Sequence, residues 1–193
     1  MDPSHTADLL ERAKAGSPDA MNALYERYAG RLLAFIRLRM GRDLRARLES
    51  RDVLQATLLK SLQHIDDLQG TGGPSLMAWL ARIAEHEIRD RVDYHHRQRR
   101  EAAREVPLDD DTPVAALSRS ALSRVIFDER AQQLEEALES LAPEHREVIV
   151  LRKFEERSFK EIGHRMGRSE DACRMLLARA MTALTLRMSA TPR

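Results

Sequence analysis

The chain has 193 residues, 42% hydrophobic and only 4% aromatic, and its 32 basic and 31 acidic side chains leave a net charge of +1. That length admits one large domain or two small ones, and the near-zero charge means that a nucleic-acid surface must come from locally placed arginines, not from a basic total. One cysteine, Cys173, excludes an intramolecular disulfide and a cysteine-only metal site and fits a reducing cytoplasm; no stretch approaches the roughly 18 apolar residues of a membrane span.

Sparse glycine and proline and abundant Leu, Ala, Arg and Glu predict an all-α chain, because long unbranched side chains lose little rotamer freedom in a helix. The N-terminal MDPSHTADLLERAK lacks the basic-then-apolar order of a signal peptide. The first helix is expected from near Ser4. Gly16-Ser17-Pro18-Asp19 then breaks the run, with Ser17 as N-cap and Pro18 in the first turn of the next helix. That second helix is expected to reach about Met40, with Gly41 as its stop. A third is expected over about Ser50 to Ile65, capped by Ser50 or Asp52, with Val53, Leu54, Leu58 and Leu62 on its apolar stripe. Residues 66–74, DDLQGTGGP, read as a loop. Ser75 opens a fourth helix that carries Leu76, Trp79, Leu80 and Ile83 and ends in a basic tail through Arg100. Trp79 is read as core.

Residues 101–127 read as an acidic, Pro-flanked linker containing Asp109, Asp110 and Asp111, with a short helix near Val114 to Arg124. A second helical unit is expected from about Asp128. The expected architecture is two small helical domains, residues 1–100 and 128–193, joined by a flexible linker.

The second unit contains SFKEIGHRMGRSEDACRMLLARAMTAL, and Phe159 to Met181 reads as a helix-turn-helix. Two short helices crossing steeply need a small residue at the closest approach, which Gly163 supplies. The chain must leave the first helix at positive φ, which suits Gly167. Ser169 can cap the second helix, with Ile162, Met166, Cys173, Leu176 and Leu177 facing inward. A second helix of this kind enters the major groove with its first turns. Its outward positions are Glu170, Asp171, Arg174 and Met175, and Arg168, Arg174 and Arg179 can meet phosphates or guanine edges. Glu170 and Asp171 suit the positive helix end but oppose phosphate.

Taken together, these motifs resemble a bacterial RNA polymerase sigma factor of the extracytoplasmic-function (ECF) type. Leu141-Ala142-Pro143-Glu144-His145-Arg146-Glu147-Val148, Glu161-Ile162-Gly163, Gly167-Arg168-Ser169 and Ala178-Arg179-Ala180 resemble region 4 of that family. Asp52-Val53-Leu54-Gln55 and Trp79-Leu80-Ala81-Arg82-Ile83-Ala84 resemble region 2. The resemblance implies a promoter-specificity subunit without enzymatic activity, metal or cofactor. Its implied partners are core RNA polymerase and promoter DNA, duplex at the −35 element and melted at the −10 element. The family often has an anti-sigma factor as well.

Residue by residue, the resemblance implies −35 contacts by Arg168, Ser169, Glu170, Asp171, Arg174, Met175 and Arg179. It implies −10 contacts by Gln69, Gly70, Thr71, Arg82, His86, Arg89 and Arg97, and polymerase docking through Asp52, Gln55 and Leu59. It also implies that the linker threads towards the polymerase active site, where Asp109 to Asp111 could mimic RNA phosphates. One departure stands out: Glu85 and Glu87 put two carboxylates in a stretch expected to face DNA. The rival reading is a stand-alone helix-turn-helix regulator with a sensing or dimerisation module in front. An enzyme finds little support, since no HExxH, P-loop or nucleophile elbow occurs and the adjacent His95 and His96 would face different directions on a helix.

Overall fold

The computed structural model describes residues 3–68, 75–101 and 129–190, and among them every regular element is helical. The loop at 69–74 and the linker, with its acidic run and expected short helix, lie outside the described residues.

Helices α1 (Pro3–Lys14) and α2 (Pro18–Arg45) meet at the predicted break. Ala20 N donates to Ser17 Oγ at 3.4 Å, so Ser17 caps α2 with Pro18 behind it. Gly41 was expected to end α2. At φ 63° and ψ 177° it does interrupt the helix, but helical geometry resumes and runs to Arg45, whose Nε donates back to the Gly41 carbonyl at 3.2 Å.

Helix α3 (Ser50–Gln63) is shorter than expected, and Ile65 lies beyond it in a 3-10 turn (Ile65–Asp67), still buried. Neither Ser50 nor Asp52 is its cap. Glu49 takes that place without a side-chain bond, which puts Asp52 in the first turn, where a carboxylate meets the positive helix end. Helix α4 (Leu76–Glu101) starts from Ser75, whose Oγ accepts from Ala78 N at 3.4 Å.

These helices enclose one apolar core: Leu24, Leu32, Phe35 and Ile36 from α2, Val53, Leu54 and Leu58 from α3, and Trp79, Leu80 and Ala84 from α4. Trp79 is buried, as read. Tyr25 brings a phenol into this layer, donating to the Leu58 carbonyl at 2.8 Å with Ser61 Oγ at 3.0 Å. Burial pushes its pKa up to about 12, against a smaller opposing effect of the Ser61 hydrogen bond.

The second unit comprises α5 (Glu129–Glu139), α6 (Pro143–Ile149), a π-helical turn (Val150–Phe154), α7 (Phe159–Met166) and α8 (Glu170–Ala190). Val148, Ile149, Val150 and Leu151 are all buried. Four consecutive residues cannot share one helical face, so this stretch must be covered from several sides. Part of the cover is the first unit, which the sequence did not lead us to expect. Phe154 stacks on Phe35 of α2 with ring centroids 5.9 Å apart. Around that stack, Arg37 Nη1 reaches Glu135 Oε2 at 2.6 Å, and Arg45 reaches Glu135 Oε1 at 3.0 Å and Glu139 Oε1 at 2.5 Å.

Candidate nucleic-acid interface

The helix-turn-helix is built from local signals. Ser158 begins α7 with a reciprocal capping box: Glu161 N donates to Ser158 Oγ at 3.2 Å, and Ser158 N donates to Glu161 Oε2 at 2.8 Å. Those side-chain and backbone hydrogen bonds from Ser158 hold the Glu161 carboxyl below its usual range. The S-x-x-E spacing of Ser158-Phe159-Lys160-Glu161 announces this box, and our reading of the sequence missed it.

The turn follows the glycines. A Cβ built on Gly163 would lie 2.6 Å from the Arg168 carbonyl oxygen, so only hydrogen fits where the chain folds back over α7. Gly167 leaves α7 in the left-handed region at φ 64° and ψ 37°. Ser169 then caps α8, accepting from Ala172 N at 3.2 Å. Ile162, Cys173, Leu176 and Ala180 are buried beneath, while Met166 and Leu177 are half-buried at the edge.

This framework leaves Arg168, Ser169, Glu170, Asp171, Arg174, Met175 and Arg179 all exposed, with Met175 at 58%. The charges are not idle. Arg174 donates to Asp171 Oδ1 at 2.6 Å and to Glu170 Oε2 at 3.3 Å, and its guanidinium lies 5.0 Å from the Phe159 ring centroid. Arg168 is held by Glu144 Oε2 at 2.5 Å. Arg179 is exposed with no ion pair to another described residue. Beside α7 runs a groove lined by Leu151, Arg157, Lys160, Glu161, His164 and Arg165.

In the first unit, Arg82, His86 and Arg89 are exposed along α4. Their i, i+4, i+7 spacing puts them on one side of the helix. Glu85 and Glu87, the departure noted in the sequence, do not share it. Glu87 is buried and pairs with Lys60 of α3, with Arg91 Nε at 3.9 Å. Glu85 is half-buried and turned towards the second unit, 3.5 Å from Arg39 Nε. Burial, and then repulsion from Glu155, raise its pKa. Both carboxylates therefore serve packing against neighbouring helices and leave the arginines outside. Gln69, Gly70 and Thr71 lie outside the described residues, as does the Arg97 side chain.

On α3, Asp52 is exposed and Gln55 and Leu59 are half-buried, again on one side at i, i+3, i+7. Arg91 Nη2 donates to the Asp52 carbonyl at 3.1 Å, which ties the start of α3 to α4. Among the described residues no cluster of His, Cys, Asp or Glu could hold a metal ion, and no helix is long and apolar enough to cross a membrane.

Comparison with known proteins agrees with this layout. Residues 24–101 match the family model for Sigma-70 region 2, and residues 137–185 match that for Sigma-70, region 4. The chain is 33% identical over 169 residues to the RNA polymerase sigma factor CarQ of Myxococcus xanthus, covering 86% of this chain and 87% of CarQ. It is 27% identical over 183 residues to the ECF RNA polymerase sigma factor BldN of Streptomyces coelicolor, covering 95% of this chain and 66% of BldN. Among solved structures it is similar to the sigma factor RpoE in complex with the anti-sigma factor NepR from Bartonella quintana. That match has a TM-score of 0.42 and 19% identity, covering 88% of this chain and 95% of that one.

Proposed function

The chain belongs to the bacterial RNA polymerase sigma factors of the ECF type, and we propose that its two helical units divide promoter recognition by residues that can be named. As a sigma factor it binds core RNA polymerase and directs transcription initiation at promoters; such proteins are regulators, not catalysts, and we place its work in the cytoplasm with the polymerase.

The observation that carries the finer reading is the helix-turn-helix turn at Gly163 and Gly167, which leaves the outer face of the first two turns of α8 exposed. In the major groove of the −35 element, Arg174 exchanges Asp171 and Glu170 for a phosphate or a guanine edge. The released carboxylates can accept from cytosine amino groups, and Met175 can pack on a thymine methyl. Arg168 and Arg179 hold phosphates on either side. In the first unit, Arg82, His86 and Arg89 track the melted −10 strand, and the family resemblance assigns Gln69, Gly70, Thr71 and Arg97 to the same element. Asp52, Gln55 and Leu59 form the docking strip for core polymerase. We assign residues 1–100 to polymerase docking and −10 recognition, 128–193 to −35 recognition, and 101–127 to the linker. An anti-sigma partner suits the family, and we assign it no residue.

The test is reconstitution. With core polymerase added, the chain is expected to bind the enzyme and to start transcripts at discrete sites, whose mapped upstream sequences give both promoter elements. Failure to bind core, or initiation no better than core alone, defeats this reading.

A further inference from the structure

The Phe159 ring joins two arginines of the second unit. Arg152 approaches it from the π-helical turn and Arg174 from α8, each with its guanidinium carbon 5.0 Å from the ring centroid. Both lie within the roughly 6 Å at which a ring face attracts a cation. Arg152 is anchored in addition by Nη1, which donates to the Arg157 carbonyl at 2.7 Å. Phe159 opens α7 directly after the Ser158 cap and is half-buried against the core. The ring is therefore fixed by backbone and packing, whereas Arg174 is an exposed side chain on a long, flexible stem.

Arg174 has three partners, and they differ in what becomes of them at a DNA surface. Asp171 Oδ1 at 2.6 Å and Glu170 Oε2 at 3.3 Å are carboxylates of α8 itself. Pairs between exposed side chains of this kind are weak and screened by salt. A guanine edge or a phosphate competes for the same N–H groups, so these pairs are given up when Arg174 binds DNA. The ring competes for nothing. It is neutral, has no conventional acceptor and attracts the cation through its face, so the N–H fork stays free for the O6 and N7 acceptors of guanine. Nor does it repel phosphate as the carboxylates do. Phe159 is the partner that Arg174 can keep inside the groove.

We infer that Phe159 is a positioning residue for base discrimination: its ring holds the Arg174 guanidinium ready for one base pair of the −35 element. This role rests on the placement of α8 in the major groove proposed above, and adds to it a residue of the preceding helix that acts through Arg174. A bidentate fork tells bases apart only when both N–H groups arrive in register. An arginine free to swing meets the nearest phosphate instead, which gives affinity without sequence. Holding a flexible side chain beforehand also lowers the ordering cost of binding. The consequence is a split: removing the ring costs discrimination at one base pair and leaves the charge, and with it the electrostatic part of binding, as it was.

The test uses holoenzyme assembled from core polymerase and the full chain, on the mapped promoter and on versions with each −35 base pair changed in turn. Phe159→Leu keeps an apolar side chain without a ring. It is expected to reduce the preference for the native base pair at one position by about two- to fivefold, the range of one exposed cation–π contact. The salt dependence of binding and capture by core are expected to stay unchanged. Arg174→Ala is expected to reduce the preference at the same position at least as much, and adding Phe159→Leu to it to change nothing further. Phe159→Tyr keeps the ring and is expected to keep the preference. A loss of stability alone lowers the active fraction equally on every duplex, so the ratio between duplexes separates the two effects. Should Phe159→Leu fail to fold, Phe159→Met supplies the same comparison.

Full discrimination by the ringless variant, where Arg174→Ala loses it, overturns the role and leaves the −35 assignment of Arg174 standing. So do equal weakening on all duplexes by Phe159→Leu, additive losses in the double variant, or loss of the preference by Phe159→Tyr. Unchanged discrimination by Arg174→Ala overturns both the role and the assignment.

Discussion

The carbonyl oxygen of Arg168 lies where a Cβ on Gly163 would have to be, 2.6 Å from the built position. That oxygen is backbone, so it cannot swing aside as a flexible side chain would. Gly163→Ala is therefore expected to destabilise the second unit by about 1–3 kcal/mol, the usual cost of overpacking. Gly167→Val should cost about as much for a different reason, since a β-branched residue at positive φ is strained even where, as here, there is open space. Denaturant titration of the full chain, paired with −35 duplex binding, checks both, and unchanged midpoints would contradict the turn geometry.

Arg174 sits between two roles. Its pairs with Asp171 and Glu170 are solvent-exposed and worth little to stability, so Arg174→Ala should leave the fold unaffected. Binding of a −35 duplex should fall about tenfold, within the range for one good base or phosphate contact, with core polymerase binding intact. Asp171→Asn is expected to act the other way, raising affinity with little regard to sequence by removing a charge that opposes phosphate. Fluorescence anisotropy on matched and mismatched duplexes separates these effects; loss of core binding by the Arg174 variant would mean that α8 is misassigned.

Arg82 and Arg89 should contribute through charge. Each replacement by Ala is expected to weaken binding to −10 single-stranded DNA and to flatten its salt dependence by about 0.7 for each phosphate no longer neutralised. Asp52→Ala combined with Gln55→Ala should instead reduce capture by core polymerase and leave the salt slope on DNA unchanged. A pull-down on core and a salt titration on DNA, run on both variants, would expose a reversed assignment.

The Tyr25 phenol gives a stability profile in pH. Its pKa of about 12 in the fold lies above the ordinary value of 10.0, so the folded state holds the proton more tightly. The resulting stabilisation is complete below pH 10 and disappears as pH rises to 12, amounting to about 3 kcal/mol at most. Urea unfolding between pH 9 and about 12 should show this loss, and Tyr25→Phe should remove that part of the slope. An identical slope in the variant would place the titrating group elsewhere.

How much of this was legible beforehand depends on the distance over which each feature is encoded. The helix-turn-helix could be read because its signals lie within a few residues: Gly163 and Gly167 for the turn, Ser169 for the cap. The break at Gly16 to Asp19 was legible for the same reason. Where Glu85 and Glu87 point was not legible, because position along the chain does not give a side chain's direction; their partners Arg39 and Lys60 sit on other helices. The contact between units was not legible at all. Arg37 meets Glu135 across 98 residues and Arg39 meets Glu155 across 116, and in the sequence each looks like one more charge on a solvated helix.

The π-helical turn adds one more consequence. Val150–Phe154 holds more residues per turn than an α-helix, and that surplus sets the direction in which Phe154, Glu155 and Glu156 project. Deleting one residue there, so that ordinary pitch returns, would rotate those side chains by roughly 100° about the axis and carry them off the first unit. That turn also touches the helix-turn-helix: the Arg152 guanidinium lies 5.0 Å from the Phe159 ring centroid, and Leu151 lines the groove beside α7. A change in the length of this one turn would therefore reach α7 as well as the first unit. One codon gained or lost here would thus alter two surfaces at once.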